Sequence, residues 1–129
     1  AIKVHLAKRG ICVLDVGCEG ETCDYPDIAH AACEKIQSGE AECGILCCGT
    51  GIGISIAANK YRGIRAALVS EPFSAKLAKE HNNANILCLG GRTTGENLAI
   101  DCVDAWLDAA FLEKHHTARV FKIHRPEEE

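Results

Sequence analysis

Residues 48–53 read Cys48-Gly49-Thr50-Gly51-Ile52-Gly53 and begin at the last residue of an apolar run, residues 43–48. An apolar run followed by closely spaced glycines predicts a buried strand that ends in a tight loop. Glycine lets the backbone approach a ligand closely, and a helix after the loop would offer unpaired N–H groups to an anion. Ligands of open α/β sheets bind at the carboxyl ends of the strands. This stretch therefore predicts a parallel strand that leads into a binding loop for a phosphorylated ligand.

The glycine loop does not have the spacing of a nucleotide-binding motif. Its Gly-x-Gly-x-Gly pattern differs from the Gly-x-Gly-x-x-Gly of dinucleotide-binding domains, and it lacks the lysine of a P-loop. On the spacing alone, a tight turn that needs glycine only for its backbone conformation remains an alternative.

Four short apolar stretches alternate with helical patterns along the chain. The alternation predicts βαβ units, and the near-continuous apolar character of the stretches indicates a sheet that is covered on both faces. We therefore predict a doubly wound parallel α/β sheet, Rossmann-like or flavodoxin-like, with helices on both faces and in one domain over residues 1–129. The predicted strands are residues 11–16, 43–48, 64–69 and 85–89.

The predicted helices run from Pro26 to Gly39, over residues 53–60, from Pro72 to His81 and over residues 96–111. The chain starts in a helical pattern rather than in a strand. In the flavodoxin-like strand order 2-1-3-4-5 the first strand lies inside the sheet. We therefore expect that first strand to be absent from this chain, which would make residues 11–16 and 43–48 next-nearest neighbours.

Composition excludes two classes of function. The formal net charge of −4 argues against general nucleic-acid binding, which needs clustered lysine and arginine. No apolar run approaches the roughly 20 residues that a membrane-spanning helix requires. We therefore expect a soluble, cytoplasmic protein with neither a nucleic-acid nor a membrane partner.

Nine cysteines are present, an odd number. We interpret most of them as reduced, small apolar residues of the core rather than as a disulfide framework. No Cys-x-x-Cys pair occurs, so we expect no metal site. The cysteines that lie inside apolar stretches are Cys12, Cys33, Cys47, Cys88 and Cys102.

Cys48 is placed to be reactive, because it ends a predicted strand and faces the start of a helix, where a thiolate is favoured. A thiolate can serve as a nucleophile or as a general base. The alternative is that Cys47 and Cys48 are both core residues, but adjacent residues of a strand face opposite sides. One of the two is therefore expected at the site.

Histidines supply the other candidates. His81 follows a predicted helix and could shuttle a proton, although capping the helix end is an alternative role. His115 and His116 lie four and three residues before Arg119, so the three share a helix face and could bind one phosphate. The alternative is an ordinary solvated basic surface.

The stretch over residues 48–60 resembles the signature of ribose-5-phosphate isomerase type B, a family that also includes galactose-6-phosphate isomerase subunits and allose-6-phosphate isomerases. Further similar motifs follow in the order of the family over nearly the whole chain. They are Asp24-Tyr25-Pro26, His81-Asn82-Asn83-Ala84-Asn85, Gly90-Gly91-Arg92, Val103-Asp104-Ala105-Trp106-Leu107, and His116 with Arg119-Val120.

The resemblance implies an aldose–ketose isomerase that interconverts ribose 5-phosphate and ribulose 5-phosphate through an enediol, without a cofactor or a metal. It implies a homodimer or a dimer of dimers, with the active site at the interface between subunits. Cys48 would be the general base, His81 would open the sugar ring, and Thr50 would help stabilise the oxyanion. The implied substrate-binding residues are Gly49, Gly51, Ile52, Gly53, Asn82, Arg92, His115 and Arg119.

Two features depart from the family pattern. The family begins with a strand that ends in an Asp-His pair, which this chain lacks, and Lys114-His115-His116 stands where Gly-Arg-His is usual. A neutral imidazole at residue 115 does not replace a bidentate guanidinium, although Lys114 could partly compensate. The alternatives are therefore an isomerase of a six-carbon sugar phosphate, such as allose 6-phosphate or galactose 6-phosphate, and a non-catalytic sugar-phosphate-binding subunit. A redox or metal-binding protein is a more distant reading.

Overall fold

The computed structural model describes residues 1–18 and 23–128. Helices and strands alternate along most of the chain, as the sequence predicts, and the chain ends in a 3-10 turn at Arg125–Glu128. The elements are α1 Ile2–Lys8, α2 Tyr25–Gln37, β1 Gly44–Cys48, α3 Ile52–Ala58, β2 Ala66–Leu68, α4 Pro72–Asn82, β3 Ile86–Gly90, α5 Glu96–Asp108 and α6 Lys114–Ile123.

The three strands form a parallel sheet with helices on both faces, which confirms the predicted fold class. Alternate residues of β3 divide between two apolar cores, because successive side chains of a strand face opposite sides. Leu87 and Leu89 pack with Trp106 of α5 on one face. On the other face, Ile86 and Cys88 pack with residues of α2 and α3.

The strand order differs from the flavodoxin-like order 2-1-3-4-5 considered for the sequence, in which the third, fourth and fifth strands follow one another across the sheet. β3 lies in the middle of the sheet, between β1 and β2, in the order β1-β3-β2. All five residues of β3 are buried, which suits a strand covered by neighbours on both edges and both faces. β2 has only three residues and leaves Leu68 exposed, which suits an edge.

Residues 11–16 do not form the predicted strand. No strand in the described ranges pairs with them, and Val13 and Leu14 are exposed. An apolar run becomes a strand only where a neighbour completes its backbone hydrogen bonds, so the pattern alone misassigned this segment.

The cysteines follow the prediction in part. Cys33, Cys88 and Cys102 are buried, and burial raises the pKa of Cys33 to about 11 and that of Cys88 to about 12, so both remain thiols. Cys12 and Cys47 are exposed rather than in the core, because Cys12 lies in the segment that forms no strand and Cys47 lies on β1, an edge strand of the described sheet. Cys18 and Cys23 form a disulfide, so these two are not reduced.

In the parts of the chain that the structure describes, no helix combines the length and apolar character needed to cross a membrane.

Candidate active site

The glycine loop joins β1 to α3 at the carboxyl edge of the sheet. Gly51 has a φ of 78°, in the left-handed region that favours glycine. A Cβ atom at Gly51 would lie 3.0 Å from the carbonyl carbon of Leu89 and would also clash with the Leu68 side chain. Both the backbone conformation and the packing therefore require glycine at residue 51, independently of any ligand.

The thiol of Cys48 lies within this loop. Its Sγ accepts a hydrogen bond from the Gly51 N–H at 3.2 Å, and the side chain is half-buried. The thiol is thus turned into the loop, whereas neighbouring Cys47 is exposed. The geometry selects Cys48 over Cys47 as the cysteine at the loop.

Thr50 accepts a hydrogen bond from the Ile52 N–H at 3.2 Å through Oγ1. Because a hydroxyl that accepts one hydrogen bond keeps its own proton, Thr50 can still donate to a ligand oxygen. Its side chain is exposed at the edge of the sheet.

Arg92 is held against the same loop. The Gly91 N–H donates to the Cys48 carbonyl at 2.8 Å, and the Arg92 N–H donates to the Gly49 carbonyl at 2.9 Å. The Arg92 side chain crosses Gly49, with Cδ and Nε each 3.4 Å from the position that a Cβ of residue 49 would take. Arg92, which the resemblance implies as a substrate-binding residue, therefore lies against the glycine loop.

Tyr25, for which the sequence analysis gave no role, also lies at this loop. Ring atoms Cε1 and Cζ would be 2.7 Å from a Cβ at Gly53, so the ring lies directly on that glycine. Tyr25 is 46% exposed, and its hydroxyl faces the same region. The motif Asp24-Tyr25-Pro26 was the available signal, but its spacing to the loop depends on the folding of α2 against α3.

A second cluster consists of imidazoles from the end of α4 and the start of α6. The rings of His81 and His116 stack with centroids 4.3 Å apart, and those of His115 and His116 lie 4.1 Å apart. His116 is buried between its neighbours at 8% exposure, while His115 and Arg119 are exposed. The stacked rings thus place the start of α6 against the end of α4.

Charge in this cluster is arranged to keep one ring neutral. Burial lowers the pKa of His116, and the charges of His115, His81, Arg119 and Lys114 lower it further. Because His116 lies between His81 and His115, a neutral His116 ring adds no positive charge to repel its two neighbours. Asn82 lies exposed beside His81, at the last position of α4.

The two groups of residues lie at opposite ends of the strands. The first is at the edge of the sheet formed by the carboxyl ends of the strands, and the second is at the edge formed by their amino ends. We call Tyr25, residues 48–53 and Arg92 the loop half-site, and His81, Asn82, His115, His116 and Arg119 the histidine half-site. β1 and β3 run parallel with Cys48 beside Gly90, whereas the Gly44 N–H bonds to the Asn85 carbonyl at the other end. Four residue steps of strand, about 13 Å, separate these two ends.

Within residues 1–18 and 23–128, no group of three or more histidine, cysteine, aspartate or glutamate side chains could hold a metal ion.

Comparison with known proteins gives consistent matches. A family model described as Ribose/Galactose Isomerase matches residues 1–123. Ribose-5-phosphate isomerase B of Escherichia coli strain K12 is 48% identical over 123 residues, which cover 95% of this chain and 83% of that protein. The likeness therefore extends over nearly the whole chain.

Two solved structures share the fold. Ribose-5-phosphate isomerase B of Clostridium thermocellum has a TM-score of 0.96 at 50% identity, covering 98% of this chain and 86% of that one. Ribose-5-phosphate isomerase B of Mycoplasma genitalium, solved with bound ribulose-5-phosphate, has a TM-score of 0.93 at 40% identity, covering 99% and 86%.

Proposed function

The chain belongs to the ribose/galactose isomerase family and is a sugar-phosphate isomerase, and from this premise we propose that it interconverts ribose 5-phosphate and ribulose 5-phosphate. The observation that carries the proposal is the Cys48 thiol, which accepts the Gly51 N–H at 3.2 Å in a loop built to approach a ligand. The reaction would need no cofactor, because it only relocates protons within one molecule.

Cys48 would act as the general base on the open-chain sugar. Its thiolate takes the proton from C2, an enediolate forms, and the thiol returns that proton to C1, while a second proton moves from O2 to O1. Negative charge develops on O1 in the first step. The backbone N–H groups of residues 49–53 and the Thr50 hydroxyl would stabilise it, since preorganised donors act most strongly where charge appears.

The histidine half-site would open the ring and hold the phosphate. His81 would move the proton between the ring oxygen and the anomeric hydroxyl, with Asn82 beside it. Arg119 would bind the phosphate as a fixed cation, with His115 and Lys114 next to it on the same helix.

A complete site would require two copies of the chain, because the loop half-site and the histidine half-site lie at opposite edges of one sheet. Apolar side chains are also exposed around the loop half-site, on α3, at the end of β2 and at the start of α4. They are Ile52 (51% exposed), Ile56 (57%), Leu68 (43%) and Phe73 (68%). We therefore propose a homodimer, or a dimer of dimers, that pairs each loop half-site with the partner's histidine half-site.

A second candidate substrate is a six-carbon sugar phosphate, because the matching family is described for galactose as well as ribose. The imidazole of His115 is the feature that favours it, since it forms a looser phosphate site than a guanidinium and would tolerate a displaced phosphate. His115→Arg should then lower the KM for ribose 5-phosphate, because a guanidinium can bind the phosphate through two parallel hydrogen bonds.

The test is a substrate panel of ribose 5-phosphate, allose 6-phosphate and galactose 6-phosphate, each followed in both directions by NMR. Turnover highest for ribose 5-phosphate supports the proposal, and preference for a hexose phosphate selects the second candidate. Binding of the panel without turnover by any of them would indicate a non-catalytic subunit instead.

A further inference from the structure

Arg65 lies just before β2 and joins two parts of the chain that are distant in sequence. Its Nε donates to the Asn83 carbonyl at 2.8 Å, and its Nη1 lies 2.9 Å from Nε2 of His124. Asn83 follows α4 directly after His81 and Asn82, and His124 follows α6. One guanidinium therefore touches the ends of both helices that carry the histidine half-site.

His124 connects Arg65 to the last turn of the described chain through its two ring nitrogens. A guanidinium can only donate, so Nε2 of His124 is the acceptor and Nδ1 carries the proton. That Nδ1 lies 2.9 Å from a carboxylate oxygen of Glu127, which also accepts the Gly63 N–H at 3.0 Å. The turn after α6 is thereby fastened to the loop that precedes β2.

The loop after α4 is also bound by hydrogen bonds to the segment that contains Gly63 and Arg65. The Arg65 N–H donates to Oδ1 of Asn85 at 2.8 Å, and Nδ2 of Asn85 donates to the Gly63 carbonyl at 2.9 Å. Asn83 has a φ of 48°, a left-handed conformation that these contacts help to maintain. The position of His81 relative to β3 therefore depends on the segment that contains Arg65.

The environment of Arg65 suits a bridging guanidinium. The side chain is half-buried, and burial lowers the pKa of Arg65 while the charge of Glu127 opposes that shift. A guanidinium keeps its charge under such conditions and presents several donors in a fixed plane. A lysine ammonium is a single point and cannot span the Asn83 carbonyl and the His124 ring with the same geometry.

We propose that Arg65 is a positioning residue for the isomerase reaction: it ties the end of α4 to the end of α6 and so sets the spacing between His81 and Arg119. The proposal rests on the proposed function, in which His81 opens the ring and Arg119 holds the phosphate. In this proposal Arg65 contacts neither the sugar nor the phosphate. It acts through the two helices whose ends it joins.

The experiment compares Arg65→Lys and Arg65→Met with Arg62→Met. Arg62 is an exposed arginine three residues earlier whose charge also lies near Glu127, so it controls for loss of charge. Both Arg65 variants should lose about 100-fold in kcat/KM, with kcat falling and KM rising, because small displacements of positioned groups have effects of this size. Arg62→Met should retain the activity of the unchanged protein.

Two further measurements separate positioning from folding. Alkylation of Cys48 by iodoacetamide reports the loop half-site at the other edge of the sheet and should be unchanged in Arg65→Lys. Imidazole signals of His81 and His116 in long-range 1H–15N spectra should shift in that variant. If Arg65→Met does not fold, His124→Phe takes its place. It removes the Nε2 acceptor of Arg65 and the Nδ1 contact with Glu127 but keeps the Arg65 bond to the Asn83 carbonyl, so it should show a smaller loss in the same direction.

The proposal is overturned if kcat and KM of Arg65→Lys stay within about threefold of the unchanged protein while only its thermal midpoint falls. Failure of the proposed function looks different, because the unchanged protein would then turn over no sugar phosphate. In that case the spectra decide alone: shifted His81 and His116 signals support positioning by Arg65, and unchanged signals overturn it.

Discussion

At the scale of single residues, two adjacent cysteines at the end of β1 have different surroundings. Cys48 receives a backbone hydrogen bond in the loop, whereas Cys47 is exposed and takes no part in the loop half-site. This contrast provides a matched pair of variants in which the same atoms are removed from neighbouring positions.

Cys48→Ala should lower kcat by about 100- to 10,000-fold, the range typical of a lost general base, while the fold is retained. Cys47→Ala should keep most of the activity. Steady-state kinetics with ribose 5-phosphate and circular dichroism of both variants check this. Activity in Cys48→Ala that matches Cys47→Ala would remove Cys48 from the mechanism.

At the scale of elements, the loop between β1 and α3 requires glycine at residue 51 for two reasons, a left-handed backbone conformation and close packing against Leu68 and Leu89. Gly51 and Gly63 have nearly the same φ, 78° and 77°, but a Cβ at Gly63 would meet nothing within 4 Å, whereas one at Gly51 would meet Leu68 and the Leu89 backbone. The pair therefore separates the effect of backbone conformation from the effect of crowding.

Gly63→Ala should reduce the free energy of unfolding by about 1–2 kcal/mol, the usual effect of forcing a left-handed conformation on alanine. Gly51→Ala should reduce it by about 1–3 kcal/mol more, because the added methyl group overpacks the sheet edge. Urea unfolding of both variants gives the difference. Equal decreases in the free energy of unfolding for the two variants would show that the loop accommodates the methyl group at residue 51 without overpacking.

The contact of α6 with α4 should weaken in acid because of His116. Burial lowers the pKa of His116 below its ordinary value of 6.5, so the unfolded chain binds this proton more readily than the folded one. The stability that depends on a neutral His116 is therefore present above pH 6.5 and is lost as the pH falls below it. Protection factors of the α6 amides, which correct for the intrinsic pH dependence of hydrogen exchange, should therefore fall between pH 7.5 and pH 5.5.

The control for this pH dependence is His116→Phe, which keeps an aromatic ring against His81 but cannot be protonated. Its thermal midpoint should fall less between pH 7.5 and pH 5.5 than that of the unchanged protein. The same fall in both proteins would assign the pH dependence to other groups.

Elements differed in how far the sequence determined them. β1, the glycine loop and β3 were predicted well, because continuous apolar runs bounded by glycines have few other uses in a chain of this length. Residues 11–16 have a similar pattern but form no strand, since strand formation depends on a neighbour that local sequence does not reveal. The central position of β3 was also missed, because strand order depends on how helices cross the sheet.

At the scale of the whole molecule, the sequence and its resemblance to a family named the candidate residues but not their arrangement. His81 and Cys48 are 33 positions apart, and nothing in their spacing shows that α4 returns the chain to the opposite edge of the sheet. Tyr25 was missed for the same reason, since its place on Gly53 results from packing of α2 against α3. Only the topology divides the candidates into a loop half-site and a histidine half-site.

This division leads to a prediction about mixed assemblies. In the proposed homodimer, Cys48→Ala and His81→Ala should each be nearly inactive. A heterodimer of the two variants would contain one site with both defects and one site with neither, because each site would take Cys48 from one chain and His81 from the other. Heterodimers isolated with two different affinity tags should therefore recover roughly half of the activity of the unchanged dimer.

The outcome distinguishes sites between subunits from sites within one chain. If Cys48 and His81 served the same site in one chain, every site of the heterodimer would carry one defect, and the purified heterodimer would be as inactive as its parents. Size-exclusion chromatography with light scattering provides the necessary control, because recovery is meaningful only if both tags elute in one dimer. A protein that is monomeric at assay concentrations and yet fully active would contradict the shared site directly, since one chain keeps the two half-sites at opposite edges of its sheet.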